Sequence, residues 1–172
     1  MEINIIGGSL AHVPEIRSIV NHNILTASSI YDYGEKTAEE MEQWFTDKQN
    51  AGWPILIAEA EGKVAGYATY GTFRAKEGYK YTVEHSVYVH HEYQGKGIGG
   101  MLLEALIALC REQGYHTMIG CIDAANTGSI AFHKRYGFTE AGLLKQSAFK
   151  FGQWLDLLFM QLMLQPVGVV RG

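Results

Sequence analysis

Apolar residues recur at two distinct spacings along this 172-residue chain, and the spacing sorts it into elements. Glu2–Ile6 predicts a first strand. Val13, Ile16, Ile19 and Val20 recur at helical spacing beside Pro14, which predicts a helix over Val13–Asn21. Thr37-Ala38-Glu39-Glu40 reads as a capping box, a hydroxyl at the cap with a carboxylate three residues on, so a second helix should run toward Gln49. Ile55–Ala60 and Val64–Tyr70 flank the turn Glu61-Gly62 as an antiparallel hairpin. Beyond a loop rich in Gly, Arg and Lys, strand is expected over Tyr81–Val89, helix over Met101–Glu112, strand over His116–Ile122 and a short helix over Thr127–Tyr136. Two final strands, Glu140–Ala148 and Trp154–Leu164, are divided by the turn Lys150-Phe151-Gly152. This order predicts an α+β fold, a mixed and mostly antiparallel central sheet flanked by helices on both faces.

The length suits one domain, expected over residues 1–164 with a C-terminal tail over 165–172. A net charge of −4 argues against nucleic acid as a partner, because phosphate backbones call for a basic face. The first residues lack a cationic segment followed by an apolar run, and the late stretch Leu155–Leu164 is too short to span a bilayer, so a cytoplasmic protein is expected. Cys110 and Cys121 read as buried free thiols. No histidine spacing suits a metal, since His90 and His91 are adjacent at a strand end and point apart.

The unusual stretch is Gln94-Gly95-Lys96-Gly97-Ile98-Gly99-Gly100, which crowds glycine where a helix must begin, at about 1 kcal/mol per glycine relative to alanine inside a helix. A simple tight loop would need fewer glycines. A dinucleotide fingerprint, Gly95-x-Gly97-x-x-Gly100 with Asp123 downstream, would make the chain an NAD-dependent oxidoreductase, but the motif lies mid-chain, five residues beyond its strand. The third reading is a pyrophosphate turn: helix-start amides bind an anion, bare glycines let it approach, and Lys96 adds positive charge.

Gln94–Gly99 also matches the pattern Q/R-x-x-G-x-G/A, and with it the chain resembles the GNAT-type N-acetyltransferases. Thr82–Val89 (TVEHSVYV) and Lys150–Asp156 (KFGQWLD) resemble, more narrowly, the phosphinothricin and methionine sulfoximine/sulfone acetyltransferases. The resemblance runs from the first strand to Leu164 and implies a GNAT-like fold with acetyl-CoA as co-substrate and no metal. It implies a homodimer, for which the apolar final strands are the expected contact. Acetyl transfer would go directly to the α-amine of a small amino acid such as methionine sulfoximine, methionine sulfone or phosphinothricin. Aminoadipate as acceptor, or a coenzyme-binding module without catalysis, are the alternatives.

The residues then take roles. Gly95, Lys96, Gly97, Ile98, Gly99 and Gly100 would cradle the pyrophosphate, and the backbone of Val87, Tyr88 and Val89 would pair with the pantetheine arm. An amine must lose a proton before it attacks a thioester, and Glu84 stands two residues before that segment as the candidate general base. Strand alternation puts Glu84, Ser86 and Tyr88 on one face and Val83, His85, Val87 and Val89 on the other, so His85 is either a core group or part of the substrate rim. Asn126–Phe138 resembles the family segment N-x-x-S/A-x-x-F-Y-x-x-x-G-F, with His133 in place of its tyrosine. Asn126 and Ser129 would bind the pantetheine, Asn126 also being a helix cap, while His133 or Tyr136 would protonate the departing thiolate. Phe73, Arg74, Ala75 and Lys76, with Glu84, His85 and Ser86, would surround the amino-acid substrate, Arg74 gripping its carboxylate.

Overall fold

A computed structural model describes residues 1–165; the expected tail lies outside these apart from Gln165. Its strands are β1 (Ile3–Gly7), β2 (Ile55–Ala60), β3 (Lys63–Thr72), β4 (Thr82–Val89), β5 (Thr117–Asp123), β6 (Thr139–Lys150) and β7 (Gln153–Met163). Its helices are α1 (Val13–Thr26), α2 (Ala38–Asn50), α3 (Ile98–Glu112) and α4 (Thr127–Arg135). Hydrogen bonding orders the strands β1-β2-β3-β4-β5-β7-β6 in a mostly antiparallel sheet, with β4 and β5 parallel. The expected mixed architecture is therefore observed. The described chain divides into two compact units, one of Met1–Gly71 with Ser86–Leu106, the other of Thr72–His85 with residues 107–165.

In the first unit, α1 buries Val13, Ile16, Ile19 and Val20, the stripe its sequence predicted, together with Ile24 beyond it, against Met41 and Phe45 of α2 and Ile55, Ile57, Val64 and Tyr67 of the β2–β3 hairpin. The Thr37–Glu40 capping box forms in both directions, at 3.1 and 3.2 Å. Between β2 and β3 the register slips, Ala58 facing Gly66 while Glu59 faces Val64. That bulge at Ala65 keeps Val64 on the same face as Tyr67. Glu15 of α1 accepts the Val64 N–H at 2.8 Å, so the amide beside the bulge is satisfied. The adjacent Gly66 faces the other way, toward Leu102 of α3, so helices cover both faces of the sheet here.

Gly66 has no side chain for a steric reason. A Cβ on it would lie 2.8 Å from the carbonyl oxygen of Tyr88 and 3.1 Å from Leu102, so glycine alone lets β3 approach β4 and α3 this closely.

The second unit carries the N-terminal half of β4, then β5, β7 and β6. Seven residue pairs join β5 to β7, whereas β5 meets β4 only over Thr82–Glu84. Phe151 and Gly152 turn the β6–β7 hairpin with φ of 52° and 74°, the left-handed pair a two-residue turn requires. Gln165, expected in the tail, is buried, and its amide donates to the carbonyls of Arg111 and Tyr115 at 3.2 Å each. Helix α3 begins three residues earlier than the apolar spacing suggested, because Gly99 and Gly100 sit inside its first turn.

Candidate active site

Beyond β4, a 3-10 turn over His91–Tyr93 and an extended Gln94 lead into the glycine stretch. Gly95 and Gly97 have φ of 77° and 78°, a conformation that side chains disfavour. An added Cβ at either would meet nothing within 4 Å. Among the described residues no atom crowds these glycines, so the turn is open there to an approaching group. The first helical hydrogen bond of α3 runs from Met101 N–H to the Gly97 carbonyl at 3.1 Å, leaving the amides of Ile98, Gly99 and Gly100 ahead of it. Buried Ile98, Leu102, Leu103 and Leu106 anchor the helix behind them. Lys96 lies with its ammonium 5.5 Å from the ring of Tyr93. These are the features of an anion site at a helix start.

Just before this turn, β4 is held from the β3 side, with His90 N–H donating to the Ala65 carbonyl at 2.8 Å. Val87 and Val89 are half-buried, and the Tyr88 ring packs 5.5 Å from that of Tyr67.

In the second unit the β4–β5 register sets Glu84 opposite Ile119, so Cys121, two residues on, shares the face of Glu84. The Cys121 thiol donates to Glu84 Oε1 at 3.3 Å. Burial, and next the Glu84 charge, push this thiol up to about 12, with Arg74 the one opposing influence. Arg74 lies 5.1 Å over the ring of Phe73, which packs edge-on against Tyr79 at 5.8 Å and Phe159 at 6.5 Å. Phe73, Arg74 and Glu84 are thus brought into one neighbourhood, while Ala75 and Lys76 are exposed on the loop that leads into a 3-10 turn over Glu77–Tyr79. Ser86 is half-buried on the stretch of β4 that belongs to the first unit.

Sequence reasoning missed Cys121 and Phe159 in this cluster. Cys121 was expected to be buried; it is the exposed position of an otherwise buried β5, whereas Cys110 in α3 is buried as expected. Strand parity alone could not reveal its partner, because the β4–β5 register is not written in either strand.

His85 takes the other side of β4 and is buried. Its Nε2 lies 3.0 Å from Nε2 of His133, with the ring planes 7° from parallel. The His133 Nδ1 is 2.7 Å from the carbonyl of Ser129, which can only accept, so this nitrogen carries the proton. His133 Nε2 is then the acceptor and His85 Nε2 the donor. Phe138 stands edge-on to both rings, and Gly120 leaves room for them: a Cβ there would come within 3.3 Å of His85 Nε2. Burial, and secondarily His133, lower His85 to about 3, and burial lowers His133 as well. Both rings are neutral near pH 7, and neither nitrogen of His133 is spare. An imidazolium donor at His133 is therefore not what this environment favours.

Asn126 caps α4, its Oδ1 accepting the Ser129 N–H at 3.1 Å, which leaves its amide NH2 to donate elsewhere. The Ser129 hydroxyl approaches His133 Nδ1 at 3.4 Å. Tyr136, at the end of α4, is half-buried with its ring 5.2 Å from Phe132. Asp123 is buried and spends Oδ1 on the Ala125 N–H at 3.0 Å, so it does not fit a ribose-binding carboxylate. Among the described residues no cluster of His, Cys, Asp and Glu could hold a metal.

Comparison with known proteins gives consistent results. Residues 19–138 match the family described as "Acetyltransferase (GNAT) family". The chain is 42% identical over 167 residues to the L-methionine sulfoximine/L-methionine sulfone acetyltransferase of Pseudomonas aeruginosa, with 96% of this chain and 97% of that one covered. It is 36% identical over 150 residues to a phosphinothricin N-acetyltransferase of Alcaligenes faecalis, with coverages of 87% and 76%. Among solved structures, that of yncA, a putative acetyltransferase from Salmonella typhimurium with its cofactor acetyl-CoA, superposes with a TM-score of 0.95 at 38% identity, over 100% of this chain and 99% of that one.

Proposed function

The chain belongs to the GNAT acetyltransferase family, and from that premise we propose that it transfers acetyl from acetyl-CoA to the α-amine of a small amino acid with a polar or anionic tail. Methionine sulfoximine, methionine sulfone and phosphinothricin are the acceptors its relatives' names suggest. The observation that carries this reading is the opening of α3: two left-handed, uncrowded glycines followed by the Ile98–Gly100 amides ahead of the first helical bond. That arrangement suits a pyrophosphate better than any contact within the protein.

Acetyl-CoA supplies the activated thioester, and the protein's residues bind, orient and move protons. The Ile98–Gly100 amides and Lys96 hold the linked phosphates. The pairing of β4 with β5 stops at Glu84, which supports the backbone of Val87–Val89 as the edge along which the pantetheine lies. The Asn126 amide donates to that arm. Glu84, on the same strand, takes the proton from the acceptor's ammonium in a direct transfer with both substrates bound, and Arg74 pairs with the carboxylate. Because both nitrogens of His133 are engaged, the Tyr136 phenol is the better donor to the departing thiolate. The enzyme acts as a homodimer.

A thiol-release assay over free amino acids and their sulfone, sulfoximine and phosphinate analogues tests the reading. Turnover with those analogues is expected, and Glu84→Gln is expected to lower kcat by more than about tenfold with acetyl-CoA affinity kept. Coenzyme binding without turnover on any amine would point instead to a non-catalytic module.

A further inference from the structure

Cys121 is the exposed position of β5, and no role follows for it from the family or from the relatives' names. We propose that it is a positioning residue for acetyl transfer: its thiol donates to Glu84 Oε1 and so holds the carboxylate with Oε2 free for the acceptor amine. This rests on the reading of Glu84 as the base. Register and distance agree on the contact. The parallel register of β4 and β5 puts both side chains on one face, and the sulfur stands 3.3 Å from the oxygen. Among the described residues, that thiol is the hydrogen-bond partner recorded for Glu84. Glu is a long side chain that loses rotamer freedom when fixed, and a second anchor lets that loss precede substrate binding.

The state of the thiol suits the task. With ionisation pushed up to about 12, Cys121 keeps its proton through the neutral range, so it remains a donor and never presents a second anion to Glu84. The same shift argues against a redox or nucleophilic role, which needs the thiolate. Arg74, from the segment after β3, is the cation facing the pair, and His85 of the same strand is turned to the opposite face. An arginine paired with the substrate carboxylate and a fixed Glu84 would clamp an α-amino acid at both of its charged groups.

Two measurements test this. The first reads the contact without reference to activity: the rate of Cys121 alkylation by iodoacetamide, followed by mass spectrometry of its peptide, in the wild type and in Glu84→Gln. Removing the charge is expected to speed alkylation by roughly tenfold or more at mildly alkaline pH, and equal rates would overturn the proposal. The second reads the reaction. Cys121→Ala is expected to lower kcat about three- to tenfold with the KM for acetyl-CoA kept, and Cys121→Ser, which retains a donor, to restore most of it. A Cys121→Ala enzyme as fast as wild type, or a serine variant no better than alanine, would remove the positioning role. Near-normal turnover in Glu84→Gln would instead remove the base, and the role of Cys121 with it.

Discussion

His85 and His133 form a buried pair in which each ring constrains the other. The Ser129 carbonyl fixes the proton on His133 Nδ1, that fixes His85 as the donor, and His85 Nδ1 is buried without a hydrogen-bond partner among the described residues. Protonating His85 in place would add the proton at this Nδ1 and strand the charge away from water. The sign of the consequence follows. His85 is depressed from 6.5 to about 3, so above 6.5 both folded and unfolded chains hold it neutral and it adds no pH dependence. As pH falls below that, the unfolded chain binds a proton that the folded one refuses, and stability drops by up to about 1.4 kcal/mol per pH unit. His85→Gln, which can still donate to His133, is expected to flatten that acid slope; urea unfolding from about pH 4 to about pH 7 would show it, and parallel slopes would refute it. Strand parity assigned His85 to the face opposite Glu84 from sequence alone. Its partner was illegible, because His133 lies 48 residues away and meets it only through the packing of α4. The Cys121–Glu84 contact was hidden for the same reason.

Elements were easier to read than contacts where the chemistry is local. The capping box located the start of α2, and Glu61-Gly62, with φ of 52° and 77°, turned the β2–β3 hairpin as expected. Helix α1 ran on to Thr26 where the apolar stripe suggested Asn21, since Ile24 continues the same face. Illegible were the 3-10 turns over Leu10–His12, Glu77–Tyr79 and His91–Tyr93, too short for any periodicity. The bulge at Ala65 was equally hidden, as was the need for Gly66, a residue whose reason lies in β4 and α3 rather than in β3. Alanine at Gly66 would press on the Tyr88 carbonyl, and a backbone neighbour cannot swing aside as a flexible side chain can. Gly66→Ala is expected to cost about 1–3 kcal/mol of stability and to raise the KM for acetyl-CoA, because it displaces the β4 segment proposed to line the pantetheine. Urea denaturation beside steady-state kinetics would test both; unchanged values would mean that β4 yields without effect.

For the whole molecule, the sheet order leaves β6 at one edge, and β6 is long and mostly exposed. Leu143 and Leu144 are both about half exposed although they alternate faces, and Phe149 pairs in register with Trp154, their rings 5.2 Å apart on the solvent side. A long edge strand with apolar side chains on both faces invites pairing with another chain, and proteins ordinarily blunt such edges with charge, bulges or cover. The irregularities at Glu140/Gly142 and Leu144/Ala148 interrupt the β6–β7 ladder, and Asp156 accepts the Gln146 N–H at 2.8 Å inside the second of them. They disrupt the edge, and exposed Lys145 and Gln146 add polarity to it, but Leu143, Leu144 and Phe149 stay exposed. Cover by a second copy of the chain, as proposed above, would resolve this and would bring Trp154, 61% exposed in one copy, into a contact suited to its size. Trp154→Glu would set a carboxylate in that contact, at a penalty large enough to outweigh a moderate association energy. Sedimentation at micromolar concentration is therefore expected to show a dimer for the wild type and a monomer for the variant, with the same far-ultraviolet circular dichroism for both. A wild type that sediments as a monomer would leave this face without a partner and would require a different account of its exposed leucines and tryptophan.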